Sequence, residues 1–77
     1  MADTELPTGS NAPQKIDRTL EQAIGATVKA LRRRLDMTGA ELATEANISP
    51  GMLSKIENGQ ISASLATLQA LAKALNV

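Results

Sequence analysis

Covalent chemistry has almost no foothold in this chain of 77 residues, because it contains no His and no Cys. That removes the imidazole base, the thiolate nucleophile and the thiolate metal site together. No Ser sits beside a plausible base, and no glycine-rich loop follows a strand, so nucleotide binding is unsupported. Of the central acids, Glu41 fits a helix cap and Glu45 an exposed helix face. No catalytic residue, metal ligand or cofactor is expected. What remains is recognition by hydrogen bonds and charge, and it concentrates in "ISPGMLSKIENGQ", Ile48 to Gln60. Only Met52, Leu53 and Ile56 are large and apolar there, so the hydroxyl of Ser54 and the ammonium of Lys55 are left facing outward. A helix of about two turns, between Ser-Pro-Gly and Asn-Gly, is too short to stand alone in water. Something else must hold it in place.

The elements that could do so are legible as helices. Leu20, Ile24, Val28, Leu31 and Leu35 recur at spacings of 4, 4, 3 and 4, one face of a 3.6-residue period. Thr19 is placed to cap this first helix, with Glu21 and Gln22 in its electropositive first turn. Gly25 interrupts it at a cost of about 1 kcal/mol relative to Ala. It reads either as a tolerated defect or as the close approach of a neighbouring helix. A second helix opens with the capping box Thr38-x-x-Glu41. It buries Leu42, Ala43 and Ala46 and ends near Asn47, a residue suited to the left-handed conformation. Ile48 then tucks inward. Ser49 caps a third helix with Pro50 in its first position, and Gly59 stops that helix after about Asn58. Ser64 caps a fourth, with Leu65, Leu68, Leu71, Ala72 and Leu75 on one side and Asn76 at its end. Linkers of two to five residues force the neighbours into contact.

Composition bounds the rest. The absence of Phe, Trp and Tyr makes any core aliphatic. Cysteine usage fits a reducing compartment. Net charge is zero, so there is no global electrostatic case for nucleic acid or membrane. No signal peptide is recognisable and no apolar run approaches the ~18 residues of a membrane span. Residues 1–18 hold Pro7, Pro13 and a Gly-Ser-Asn run, and read as a flexible tail of net charge −1. Residues 19–77 carry +1 and form one small domain.

Helices two and three, joined by a tight turn, make a helix-turn-helix unit. Ala43, Ile48, Leu53 and Ile56 lock its corner. The third helix then has one side in the core and one side free, from which Gly51, Ser54 and Lys55 can reach into a DNA major groove.

The ordered motifs "LRRR", "T-x-x-E-L-A", "S-x-x-x-L-S-K-I-E-N-G" and "S-L-x-T-L-x-x-L-A-x-A-L-x-V" resemble the Cro/C1-type, or XRE-like, helix-turn-helix family of transcription regulators. The resemblance covers about residues 20–77. It implies an all-α, compact lambda-repressor-like bundle of four to five short helices that binds double-stranded operator DNA in a sequence-specific way. The runner-up is a helical protein-interaction module without DNA binding. The two separate on salt, because phosphate contact weakens steeply with it as counterions are released, whereas a mainly apolar protein contact does not. By resemblance, base reading falls to Pro50, Gly51, Ser54 and Lys55. Lys55 can donate to guanine O6/N7 and Ser54 to several bases, while Pro50 and Gly51 offer shape and close backbone approach. Phosphate contacts fall to Thr38 and the Gly39 amide, then Asn58, Gln60 and Ser62. Gly39 departs from the Gln that many members carry, so no side-chain contact is carried over there. Arg32 and Glu57 match a family ion pair tying helix one to the recognition helix; the alternative is two solvated charges. Met52 is either core-edge filler or a groove contact. Lys29, Arg33 and Arg34 suit a helix C-terminus without any partner, and phosphate contact by Arg33 or Arg34 stands as the alternative.

The resemblance further implies a cytoplasmic, nucleoid-associated protein that acts as a homodimer. The family commonly has a fifth helix, so a chain stopping at Val77 looks like the N-terminal part of a longer regulator. A missing C-terminal domain of cupin type would then be the place for a small-molecule effector.

Overall fold

The computed structural model describes residues 18–77. The expected tail therefore lies outside the described residues, except for Arg18. Among the described residues there are four helices: α1 Thr19–Arg34, α2 Gly39–Ala46, α3 Pro50–Glu57 and α4 Leu65–Ala74. The first two connections match the expected short linkers, whereas the α3–α4 loop takes residues 58–64.

The helix ends follow from local chemistry. The Thr38 hydroxyl oxygen accepts from the Glu41 amide at 3.0 Å, and the Thr38 amide donates to Glu41 Oε1 at 2.8 Å, completing the capping box. Ser49 Oγ accepts from the Met52 amide at 3.0 Å, and Ser64 Oγ from the Thr67 amide at 3.1 Å. The start of α1 departs from expectation: Arg18 is the cap position, with no side-chain cap bond, and Thr19 is already helical. All four helices stop the same way. Asp36, Asn47, Gly59 and Asn76 take φ of 54°, 59°, 70° and 62°. At each, the next residue's amide reaches back to close the last turn: Met37 to Arg32, Ile48 to Ala43, Gln60 to Lys55 and Val77 to Ala72. Asn47, Gly59 and Asn76 are stops the sequence announces. Asp36 is a less obvious one, tolerated because a short polar side chain can occupy the left-handed region.

Packing is aliphatic throughout. Val28, Leu42, Ala43, Ala46, Leu53, Ile56, Leu71 and Leu75 form the core. Leu42, Leu53, Ile56 and Leu71 are essentially sealed from water, each worth about 1.5–3 kcal/mol of transfer free energy. α1 packs on α3, while α2 packs on both α3 and α4. Three residues expected in the core are instead exposed: Leu20 (67%), Leu35 (50%) and Leu65 (72%). The cause for α1 is length. Its 16 residues span about 24 Å. The 8 residues of α3 beneath it span about 12 Å. Both ends of the α1 stripe therefore overhang their partner, and only its middle, around Val28, is sealed.

Candidate nucleic-acid interface

α3 owes its place to two residues. Leu53 and Ile56 are its buried side chains, one turn apart and facing the core. Every other residue of α3 apart from half-buried Glu57 is exposed. Pro50, Gly51, Ser54 and Lys55, the expected base-reading set, are brought together on that outer side. Asn58 continues the same side, its Nδ2 donating to Ser54 Oγ at 3.4 Å. Met52 is 42% exposed and is not among the residues packed against the core.

The other expected phosphate positions divide. Thr38 and Gly39 start α2, where the capping box occupies the Thr38 and Glu41 amides. The Gly39 amide belongs to the first turn and has no partner within the helix, which suits an anion. A Cβ built on Gly39 would have room, meeting only Leu53 Cδ2 at 4.0 Å, so nothing steric demands glycine there. Gln60 keeps an exposed side chain, while its amide donates to Lys55 O at 2.9 Å. Ser62 stands apart from the set: its hydroxyl donates to Glu21 Oε2 on α1 at 2.6 Å. That proton is engaged, and a carboxylate sits beside it.

The expected ion pair is formed. Arg32 Nε donates to Glu57 Oε2 at 2.8 Å and Nη2 to Glu57 Oε1 at 3.1 Å, a two-pronged pairing. The side chains are only 14% and 8% exposed. The hydrogen bond that Arg32 donates to Glu57 is the main reason that its guanidinium holds its proton more tightly than usual, against an opposing effect of burial. Arg32 Nη1 also donates to Met37 O at 2.9 Å. One guanidinium thus joins α1, the α1–α2 corner and the C-terminal end of α3. Arg33 and Arg34 are exposed in the last turn of α1.

Gly25 is a close-approach glycine. A Cβ there would lie 2.2 Å from Ile56 O and 2.7 Å from Glu57 O, so only glycine lets the α1 backbone reach α3. Gly59 mirrors it, since a Cβ there would lie 2.6 Å from Gln22 Cγ and 2.9 Å from its Cα. Arg18 Nη1 donates to Gln60 O at 2.7 Å. A second stripe, along α1 and its cap residue, therefore faces residues 56–62: Arg18, Glu21, Gly25 and Arg32, with Val28 between the last two. Its spacings are 3, 4, 3 and 4, the same helical period as the apolar stripe. The sequence announces these residues singly, Gly25 as one of two alternatives and Arg32 through the family ion pair, but not as one face, because mixed polar and glycine positions show no apolar period.

Among the described residues no group of three or more acids could hold a metal ion. No helix there is long and apolar enough to cross a membrane.

Comparison with known proteins agrees with this geometry. A profile described as helix-turn-helix matches residues 28–77. The chain is 39% identical over 54 residues to the immunity repressor protein of Bacillus phage phi105. That match covers 70% of this chain and 38% of the repressor, so the chain spans well under half of that relative's length. The crystal structure of the clp gene regulator ClgR from C. glutamicum superimposes with a TM-score of 0.72 at 35% identity, covering 74% of each chain.

Proposed function

The chain belongs to the helix-turn-helix family, in its Cro/C1-type (XRE-like) group, and from that premise we propose that it binds double-stranded operator DNA to regulate transcription. One observation carries the reading. α3 is anchored by Leu53 and Ile56 and tied to α1 through Glu57, and it leaves Gly51, Ser54 and Lys55 rigidly outward. A helix held by its inner side and bare on its outer side fits a major groove.

Within that reading, Lys55 donates to guanine O6/N7 and Ser54 bonds an adjacent base edge, while Pro50 and Gly51 let the backbone approach or touch a thymine methyl. The Thr38 hydroxyl, the Gly39 amide, Asn58 and Gln60 fix the register on phosphates. Ser62 is better read as a tie to α1, because its proton already serves Glu21. Arg32 and Glu57 orient the recognition helix without reading DNA. Residues 19–77 act as the DNA-binding domain. Two readout side chains on a domain of net charge +1 argue for paired half-sites and a homodimer. In this reading the homodimer acts at the nucleoid, in the cytoplasm.

The test is selection from a random duplex library at low salt, with the chain alone and with two copies joined in tandem, followed by titration with salt. Enriched duplexes whose binding falls steeply with salt are expected. If neither format retains any duplex, the DNA reading fails. Partner-protein binding that is indifferent to salt would then take its place.

A further inference from the structure

We propose that Arg18 is a further contact to the DNA backbone, held beside the recognition helix by the carbonyl of Gln60. The proposal rests on the duplex-binding reading above. Two hydrogen bonds connect Arg18 to α3. The Gln60 amide donates to Lys55 O at 2.9 Å, and Arg18 Nη1 donates to Gln60 O at 2.7 Å. The guanidinium is thus fixed where the recognition helix gives way to its following loop, next to the exposed Gln60 and one helical end away from Lys55.

Its chemistry suits a phosphate there. A guanidinium carries five N–H donors in a rigid fork, and the Gln60 carbonyl takes one of them. Arg18 is exposed, so the rest of the fork can meet a phosphate in the two-pronged geometry that Arg favours. Among the described residues, no other cation is tied to this loop. Asn58 and Gln60 are neutral, Arg32 is engaged by Glu57, and Arg33 and Arg34 lie in the last turn of α1, at its far end. Among the described residues, Arg18 is the cation that a hydrogen bond fixes on this loop. The nearest described acid on its own helix is Glu21, whose Oε2 is turned onto the Ser62 hydroxyl.

The competing role is purely structural: a cation at the C-terminal end of α3 complements the helix dipole without any DNA. Salt separates the two. Each phosphate neutralised by a cation steepens log K against log salt by about 0.9. A structural cation changes affinity without changing that slope.

The experiment titrates the whole chain with a selected duplex and with a scrambled duplex of equal composition, from about 50 to 200 mM salt. It compares wild type, Arg18→Ala, Arg18→Gln and Arg18→Lys, with helicity and melting followed by circular dichroism. Glutamine removes the charge and keeps an amide donor on a shorter side chain, and the fold readout reports whether the loop stays in place. The expected result is severalfold weaker binding to both duplexes for Ala and Gln, with the slope reduced by about 0.9 and the fold of Arg18→Gln intact. Lys should keep the wild-type slope. An unchanged slope in Arg18→Gln, or a loss confined to the selected duplex, would overturn the assignment. Wild type binding no duplex would instead overturn the underlying DNA reading, and this one with it.

Discussion

The two ends of α3 are held in different ways. The N-terminal end relies on neighbours in the chain: Asn47 in the left-handed region, Ser49 capping the Met52 amide and Pro50 at the first position. The C-terminal end is clamped by a different helix. Gly25 admits the Ile56 and Glu57 carbonyls, Arg32 grips the Glu57 carboxylate, Gln22 fills the space over Gly59 and Arg18 takes the Gln60 carbonyl. One end is left open to a ligand and the other is fixed to the scaffold. A short helix can read a partner with few side chains if its far end cannot pivot, and α1 supplies that constraint.

The clamp should break most severely at Gly25. In a helix without neighbours, Gly→Ala stabilises by about 1 kcal/mol. Here the new Cβ would collide with backbone carbonyls that cannot rotate away, so Gly25→Ala should destabilise by about 3 kcal/mol. Urea unfolding decides, since a net gain in stability would mean that α1 and α3 do not touch at this point. Glu57→Ala comes next, because it strands a guanidinium that is 14% exposed and should cost about 3 kcal/mol. Gly25 and Glu57 share a contact, so their double mutant should be non-additive by about 0.5 kcal/mol or more. Ser49→Ala, at the open end, should cost only about 1 kcal/mol. Its effect should add to that of Glu57→Ala if the two ends are held independently, which a second double-mutant cycle would show. Lys55→Ala should change stability by less than about 0.5 kcal/mol yet relax base preference at one position per half-site. Uniform weakening across all sequences would reassign Lys55 to phosphate.

Legibility in the sequence follows the same division. The open end was readable because its partners are close in the chain. Ser49 and Met52, Thr38 and Glu41, and Ser64 and Thr67 are each three residues apart, within reach of cap rules. The buried pair Leu53 and Ile56 followed from helical periodicity. The clamped end was only partly readable. Arg32 and Glu57 are 25 residues apart and came from resemblance to a family, and Arg18 and Gln60, 42 residues apart, were assigned to different parts of the chain. Gly25 left two alternatives, and nothing local could choose between a tolerated glycine and a required one. The apolar stripe of α1 was correct in period and too generous in extent, because a repeat of Leu and Ile states which face turns inward but not how long the covering helix is.

The amino-acid sequence by itself determined four helices, the caps of the last three, the stops at Asn47, Gly59 and Asn76, an aliphatic core and the side of α3 that faces outward. Each of these depends on periodicity or on hydrogen bonds spanning a few residues, which propensity and stereochemistry dictate before any folding partner arrives. Only the tertiary structure decided that α1 has a second working face, that Gly25 is a required gap and that Arg18 belongs to the domain. Those outcomes depend on which backbones approach within contact distance, and that is a property of the packed chain as a whole.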